Sequence, residues 1–85
     1  MRERTVEAYL VRRAKEEGDE VRKVKFIGHS GAPDRLLLVR KMWIELKAPG
    51  KKAEPHQLRE HSRLRKAGWR VEVVDSFERV EEILK

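Results

Sequence analysis

The chain has 85 residues, of which 42% are charged and 39% hydrophobic, and its formal net charge is +6. This length indicates a single domain, residues 1–85, with a small core, and the positive charge favours a polyanionic partner such as nucleic acid. The lack of cysteine excludes a disulfide scaffold and a thiolate zinc site. No apolar run approaches the roughly 20 residues of a membrane span, and no apolar signal segment follows the charged amino terminus. We therefore expect a cytoplasmic protein with no membrane partner.

The first part of the chain predicts a helix, a strand and a loop. Apolar residues recur at helical spacing over residues 4–17, and Gly18 is a natural stop after them. The alternation over residues 21–27 predicts a strand. Two glycines and a proline within residues 28–33 predict a loop.

The rest of the chain predicts three strands and two helices. Residues 36–39 and 42–46 are short apolar runs separated by Arg40-Lys41, which predicts a hairpin, although Arg-Lys does not suit a type I′ turn. Pro55 suits the first turn of a helix to Ala67, and a strand over residues 70–74 follows. In the last helix Ser76 is the expected cap, and the expected buried face is Phe77, Val80, Ile83 and Leu84. The order α-β-β-β-α-β-α predicts an α/β fold, a mixed sheet flanked by helices on both faces.

Three residues around the hairpin point to phosphodiester chemistry. Glu45 and Lys47 share one face of a strand because residues two apart point the same way. If the hairpin turns tightly at Arg40-Lys41, Leu36 lies opposite Glu45 and Asp34 lies opposite Lys47, which gathers two carboxylates and a cation. Such a set can hold a divalent cation and steady an attacking water. A shift of the register by one residue would scatter the three side chains. The alternative interpretation is that Asp34 is a turn residue after proline and that Glu45 and Lys47 are a solvent-facing pair.

Two further residues are candidates whose position alone leaves the role open. Glu7 lies at the edge of the apolar stripe of the first helix, where it either joins a metal site or pairs with Arg4 or Lys47. Gln57 lies on the second helix, on the side expected to approach the sheet. It is either a partner of the site or a satisfied helix-edge amide.

Several basic and aromatic residues have weaker signals. His29, in the loop before the motif, is a candidate phosphate contact, as are Lys51 and Lys52 after the catalytic strand. Structural or surface roles are expected for His56 and His61, because no His-Glu-His zinc pattern is present. The two tryptophans, Trp43 and Trp69, are expected in the core or in a dimer contact.

The motif Gly31-x-Pro33-Asp34-Arg35, then Glu45-x-Lys47, then Gln57, preceded by Glu7, resembles the VRR-Nuc (virus-type replication-repair nuclease) domain of the PD-(D/E)xK superfamily. The resemblance covers nearly the whole chain. It implies a restriction-endonuclease-like core in which Glu7, Asp34 and Glu45, with the Leu46 carbonyl, ligate Mg²⁺ or Mn²⁺. It also implies that Lys47 serves the attacking water and that Gln57 supports the site. Arg35 is a further candidate DNA contact.

The same resemblance implies a function and a cellular setting. Stand-alone members of this size resemble phage or bacterial homodimers that cut branched DNA such as Holliday junctions. The expected activity is thus a structure-selective DNA endonuclease in a bacterial or phage-infected cell. The alternatives are a non-specific or single-strand nicking nuclease with the same chemistry, and a non-catalytic nucleic-acid-binding module.

Overall fold

A computed structural model describes all 85 residues of the chain. Its elements follow in the predicted order: α1 Glu3–Glu16, β1 Val21–Lys23, β2 Arg35–Leu37, β3 Met42–Leu46, α2 Pro55–Lys66, β4 Arg70–Val74 and α3 Phe77–Leu84. The α/β fold with a mixed sheet is therefore confirmed.

The four strands form one sheet in the order β1-β2-β3-β4. The pairs β1–β2 and β2–β3 are antiparallel, whereas β3 and β4 run parallel, joined through α2. All five residues of β3 are buried, as expected for an inner strand that is covered on both faces.

The predicted register of the hairpin was wrong. Leu36 lies opposite Trp43, not Glu45, and Arg35 lies opposite Ile44. The cause is the connection, which takes the whole segment from Leu38 to Lys41 instead of a tight turn at Arg40-Lys41, with Lys41 in the left-handed region at φ 55°. Because the displacement is by two positions, each side chain keeps its face of the sheet.

The strands before the hairpin are shorter than predicted. Strand β1 ends at Lys23, not Ile27, and β2 covers only Arg35–Leu37. One further backbone bond, from the Val24 N–H to the Asp34 carbonyl at 3.2 Å, extends the pairing before the loop. The loop before Asp34 is therefore longer than predicted, because residues 25–27 do not pair with a neighbouring strand.

The main core lies between one face of the sheet and the pair α1 and α3. Val6 and Leu10 of α1 pack with Ile44 and Leu46 of β3 and with Val80 of α3, all fully buried or nearly so. Ser76 caps α3 as predicted, since its Oγ accepts a bond from the Arg79 N–H at 3.1 Å. Phe77 is only half-buried and stacks on Tyr9 with a centroid distance of 4.1 Å.

The opposite face of the sheet is partly covered by α2. Trp43 and Glu45, which alternate with the core residues of β3, point to this face. An aromatic row continues across it, with ring centroids 5.5 Å apart for Phe26–Trp43 and 5.8 Å apart for Trp43–Trp69. None of the three helices combines the length and the apolar character that a bilayer crossing requires.

Candidate active site

Asp34 and Glu45 meet where β2 begins and β3 ends. The Asp34 N–H donates to the Ile44 carbonyl at 2.9 Å, and Asp34 Oδ2 accepts a bond from the Leu46 N–H at 2.8 Å. These two bonds fix Asp34 beside the strand segment that carries Glu45. The clustering predicted from the sequence is thus present, although the register that brings it about is a different one.

Glu45 is a buried carboxyl group in an acidic neighbourhood. The residue is 1% exposed. Burial, followed by the charge of the adjacent Asp34 and a hydrogen bond with it, raises the pKa of Glu45 to about 8, and the Lys47 ammonium opposes this shift. A carboxylate pair of this kind favours either a shared proton or a bound cation.

Helix α2 supplies a hydrogen-bond partner for each oxygen of Glu45. Gln57 Nε2 donates to Oε2 at 3.1 Å, and His61 Nε2 lies 3.0 Å from Oε1. Gln57 is itself oriented by a capping box, in which its Oε1 accepts from the Glu54 N–H at 2.8 Å. Gln57 therefore contacts Glu45, which fits the first of its two interpretations, a partner of the site.

His61 occupies an interior position, and of the structural or surface roles expected for it the structural one fits this burial. It is fully buried against Glu45, and burial lowers its pKa, helped by the charges of Arg65 and Lys47. A usable signal was its spacing, because residues four apart lie on the same face of a helix, so His61 follows Gln57 toward the sheet.

Lys47 lines a groove whose charged residues are three lysines and two glutamates, Glu3 and Glu54. Its ammonium makes no ion pair, and its side chain lines a cavity of about 610 Å³ together with Lys51, Lys52 and Glu3. No sequence pattern pointed to Glu3, yet its charge also raises the pKa of Glu45. The groove thus has three unpaired lysines next to the carboxylate pair.

The ion-pair partner of Glu7 is Arg35. Glu7 Oε2 lies 2.8 Å from Arg35 Nε, and both side chains are largely buried. The sequence suggested Arg4 or Lys47 as partners, and the observed partner, 28 positions away in the chain, could not be read from helical spacing. Glu7 and Arg35 line a second cavity of about 430 Å³ beside α1.

The loop before Asp34 is fastened to α2. His29 Nε2 lies 2.8 Å from Oε1 of the buried Glu60. Gly31, at φ 88°, passes so close to α2 that a Cβ there would lie 2.7 Å from the His56 carbonyl oxygen. His29 remains half-exposed, and this contact uses one of its two ring nitrogens.

The donor set suits a hard divalent cation with few protein ligands. No group of three or more His, Cys, Asp or Glu side chains is arranged to hold a metal. Mg²⁺ commonly binds through one or two carboxylates and completes its shell with water and substrate phosphate. Asp34 and Glu45, whose mutual repulsion a cation would relieve, fit that pattern.

Comparison with known proteins identifies the family. A scan against protein-family models finds no match. The chain is 40% identical over 79 residues to "Putative nuclease p44" of Acyrthosiphon pisum secondary endosymbiont phage 1, covering 89% of this chain and 85% of that protein. A solved structure described as a VRR_NUC domain is 41% identical, covers 96% of this chain and 92% of its own, and superposes with a TM-score of 0.88. The chain belongs to the VRR-Nuc family.

Membership confirms the resemblance seen in the motif and the restriction-endonuclease-like arrangement expected from it. This VRR-Nuc chain is a nuclease, so its substrate is nucleic acid. Its motif residues Asp34 and Glu45 form one carboxylate pair, and Gln57 donates a hydrogen bond to Glu45. Lys47 lines the adjoining groove.

Proposed function

We propose that the chain is a Mg²⁺- or Mn²⁺-dependent, structure-selective DNA endonuclease that cuts four-way junctions as a homodimer. The observation that carries this proposal is the carboxylate pair of the buried Glu45 and the half-buried Asp34 beside the unpaired Lys47. The phage origin of the nuclease relative supports action in the cytoplasm of a bacterial or phage-infected cell.

The residues of the site have separate roles in the proposed hydrolysis. Asp34 and Glu45 would hold the cation, with Glu7 and the Leu46 carbonyl as further candidate ligands, and the bound cation supplies Lewis-acid stabilisation of phosphate charge. Lys47 donates hydrogen bonds to the attacking water or to the phosphate oxygens on which charge develops. The water oxygen bonds to phosphorus and gives up a proton as one bridging P–O bond breaks, and the departing oxygen takes up a proton, which leaves a phosphate end and a hydroxyl end.

Two grooves next to the site suit the DNA backbone. Lys51 and Lys52 line the groove that Lys47 opens, so phosphates on one side of the scissile bond would lie there. On the other side of the scissile bond, phosphates would lie in the cavity beside α1, which we call the α1 groove. Arg35, which follows Asp34 directly, lines this groove. Arg4 and Lys15 line that groove without any ion pair, so both are free to neutralise phosphate.

The aromatic row supports the dimer. Trp69 is 40% exposed and Ile27 is 96% exposed, beside the half-buried Phe26. A second copy packed on this face would bury these side chains, and a two-fold pair would present two sites to the two strands that a junction resolution must cut.

Cleavage of a labelled panel tests the activity. Duplex, flap, splayed-arm and four-way junction DNA are incubated with Mg²⁺, with Mn²⁺ and with chelator. We expect metal-dependent cuts and a preference for the junction. Equal cleavage of all forms would replace junction selectivity with a non-specific nuclease, and binding without any cleavage would leave a non-catalytic nucleic-acid-binding module.

Sedimentation equilibrium tests the dimer independently. The wild type should be a dimer, and Ile27→Asp should dissociate it. Val39→Asp is the matched control, because Val39 is 60% exposed and is not part of the aromatic row. A monomeric wild type that only nicks a cruciform plasmid would remove junction resolution and retain a nicking nuclease.

A further inference from the structure

His61 combines complete burial with a polar contact to the site. Its ring is 0% exposed, and its Nε2 lies 3.0 Å from Glu45 Oε1. It lies one helical turn after Gln57, which holds the other oxygen of the same carboxylate. An apolar side chain would fill this interior position with a smaller desolvation cost. A histidine there therefore indicates that its contact with Glu45 has a role.

The unpaired ring nitrogen determines the tautomer. Nδ1 of His61 is buried and has no hydrogen-bond partner. A proton on Nδ1 would be an orphaned donor in the interior, whereas a bare acceptor costs less than a buried N–H without a partner. The proton therefore lies on Nε2, where it is donated to Glu45 Oε1.

The consequence for Glu45 is a fixed orientation. Gln57 and His61 reach its two oxygens from one face of α2, and each carboxylate oxygen keeps a second lone pair. Both donors can therefore stay bonded while Glu45 binds a cation. A group that holds a ligand in this way raises metal affinity without touching the metal.

We propose that His61, as the neutral Nε2–H tautomer, is a positioning residue that orients Glu45 for divalent-cation binding. This inference rests on the proposed metal-dependent activity, and it assigns to α2 a two-donor cradle, Gln57 and His61. His61 is a positioning residue because it acts through Glu45 and has no access to DNA.

The test compares two substitutions at the same position. His61→Gln retains an amide N–H at the place of Nε2, whereas His61→Leu fills the space and removes the donor. Mn²⁺ affinity is measured by calorimetry and by electron paramagnetic resonance on metal-free protein, beside the thermal midpoint of each variant. In parallel, long-range ¹H–¹⁵N spectra of the metal-free wild type identify the protonated ring nitrogen of His61.

We expect the wild-type spectrum to show the Nε2–H tautomer. His61→Leu should weaken Mn²⁺ binding by roughly tenfold or more while DNA affinity in chelator is unchanged, and His61→Gln should restore most of the loss. Loss of Mn²⁺ affinity that tracks the thermal midpoint in both variants would overturn the proposal, because it would describe packing alone. An Nδ1–H tautomer would overturn it as well.

The same data separate this proposal from the proposed function. A wild type that binds Mn²⁺ and cleaves DNA, with His61→Leu equal to it in Mn²⁺ affinity, refutes only the role of His61. A wild type that neither binds Mn²⁺ nor cleaves refutes the metal-dependent nuclease, and with it the positioning role.

Discussion

At the scale of single residues, the site depends on two carboxylates that the fold holds together against their repulsion. Glu45 is buried, and burial together with Asp34 raises its pKa to about 8. Function and stability are therefore opposed at this position, because the arrangement that suits a cation is strained without one.

Asp34→Asn tests this opposition. The asparagine oxygen can still accept from the Leu46 N–H, while its amide donates to Glu45, so we expect the metal-free variant to be more stable by on the order of 1 kcal/mol. Cleavage should fall by roughly 100-fold or more. Thermal unfolding with and without Mn²⁺ checks both, since Mn²⁺ should raise the midpoint of the wild type but not that of the variant. A less stable variant would mean that the pair is not strained.

The sequence predicted these residues to the extent that local patterns determine them. Asp34, Glu45 and Lys47 could be grouped from the period of a strand, and that grouping survives because the true register differs by an even number of positions. The Glu7–Arg35 pair and the contact of His61 with Glu45 join distant segments, and only the packed fold brings them together.

At the scale of elements, the loop before Asp34 positions the site by its contact with α2. Gly31→Ala should destabilise the protein by about 2 kcal/mol or more, because a Cβ would be strained at φ 88° and would meet the His56 carbonyl. Gly28→Ala is the matched control, with φ 73° and no atom near its Cβ, and should cost about 1 kcal/mol. Equal urea midpoints for the two variants would contradict this packing.

The pairing of α1 with α3 has a defined pH dependence. Hydrogen bonds from Arg13 and Tyr9 lower the pKa of Glu81 to about 2 from its ordinary 4.5. A lowered folded-state pKa gives stability that is complete above about pH 4.5 and is lost as the pH falls toward about 2. Glu81→Gln should thus be less stable than wild type near neutral pH, with a difference that shrinks by more than half at about pH 3.

Urea unfolding across this pH range checks the Glu81 prediction. Glu82→Gln is the control, because Glu82 on the same helix is exposed and bonds only to Arg79. A Glu81→Gln difference that does not change with pH would mean that the ionised form contributes nothing.

Element boundaries were largely predictable, whereas the hairpin was not. Gly18, Pro55 and Ser76 stop or start helices through local backbone chemistry, and the structure places them at those boundaries. The hairpin instead depends on a longer connection in which Lys41 adopts a left-handed conformation. Lysine has no preference for that conformation, so the sequence did not predict it.

At the scale of the whole molecule, basic side chains line two grooves, the one that Lys47 lines and the one along α1. Arg4 and Lys15 in the α1 groove should each neutralise a phosphate, so Arg4→Ala with Lys15→Ala should reduce the slope of log K against log salt by about 2. Cleavage at saturating DNA should be unchanged. Lys66→Ala with Lys85→Ala is the control, since these exposed lysines line none of the cavities. An unchanged slope in the Arg4–Lys15 variant would remove the α1 groove from the DNA path.

The central claim is that Asp34, Glu45 and Lys47 act in a metal-dependent chemical step. Its most direct test is the single-turnover rate of cutting a labelled four-way junction, measured against Mn²⁺ concentration for wild type and Lys47→Ala at equal folding. We predict no wild-type cleavage in chelator, a rate that saturates with Mn²⁺, and a loss of roughly 100-fold or more in Lys47→Ala with junction affinity retained. Cleavage in chelator, or a Lys47→Ala rate equal to wild type, would contradict the account.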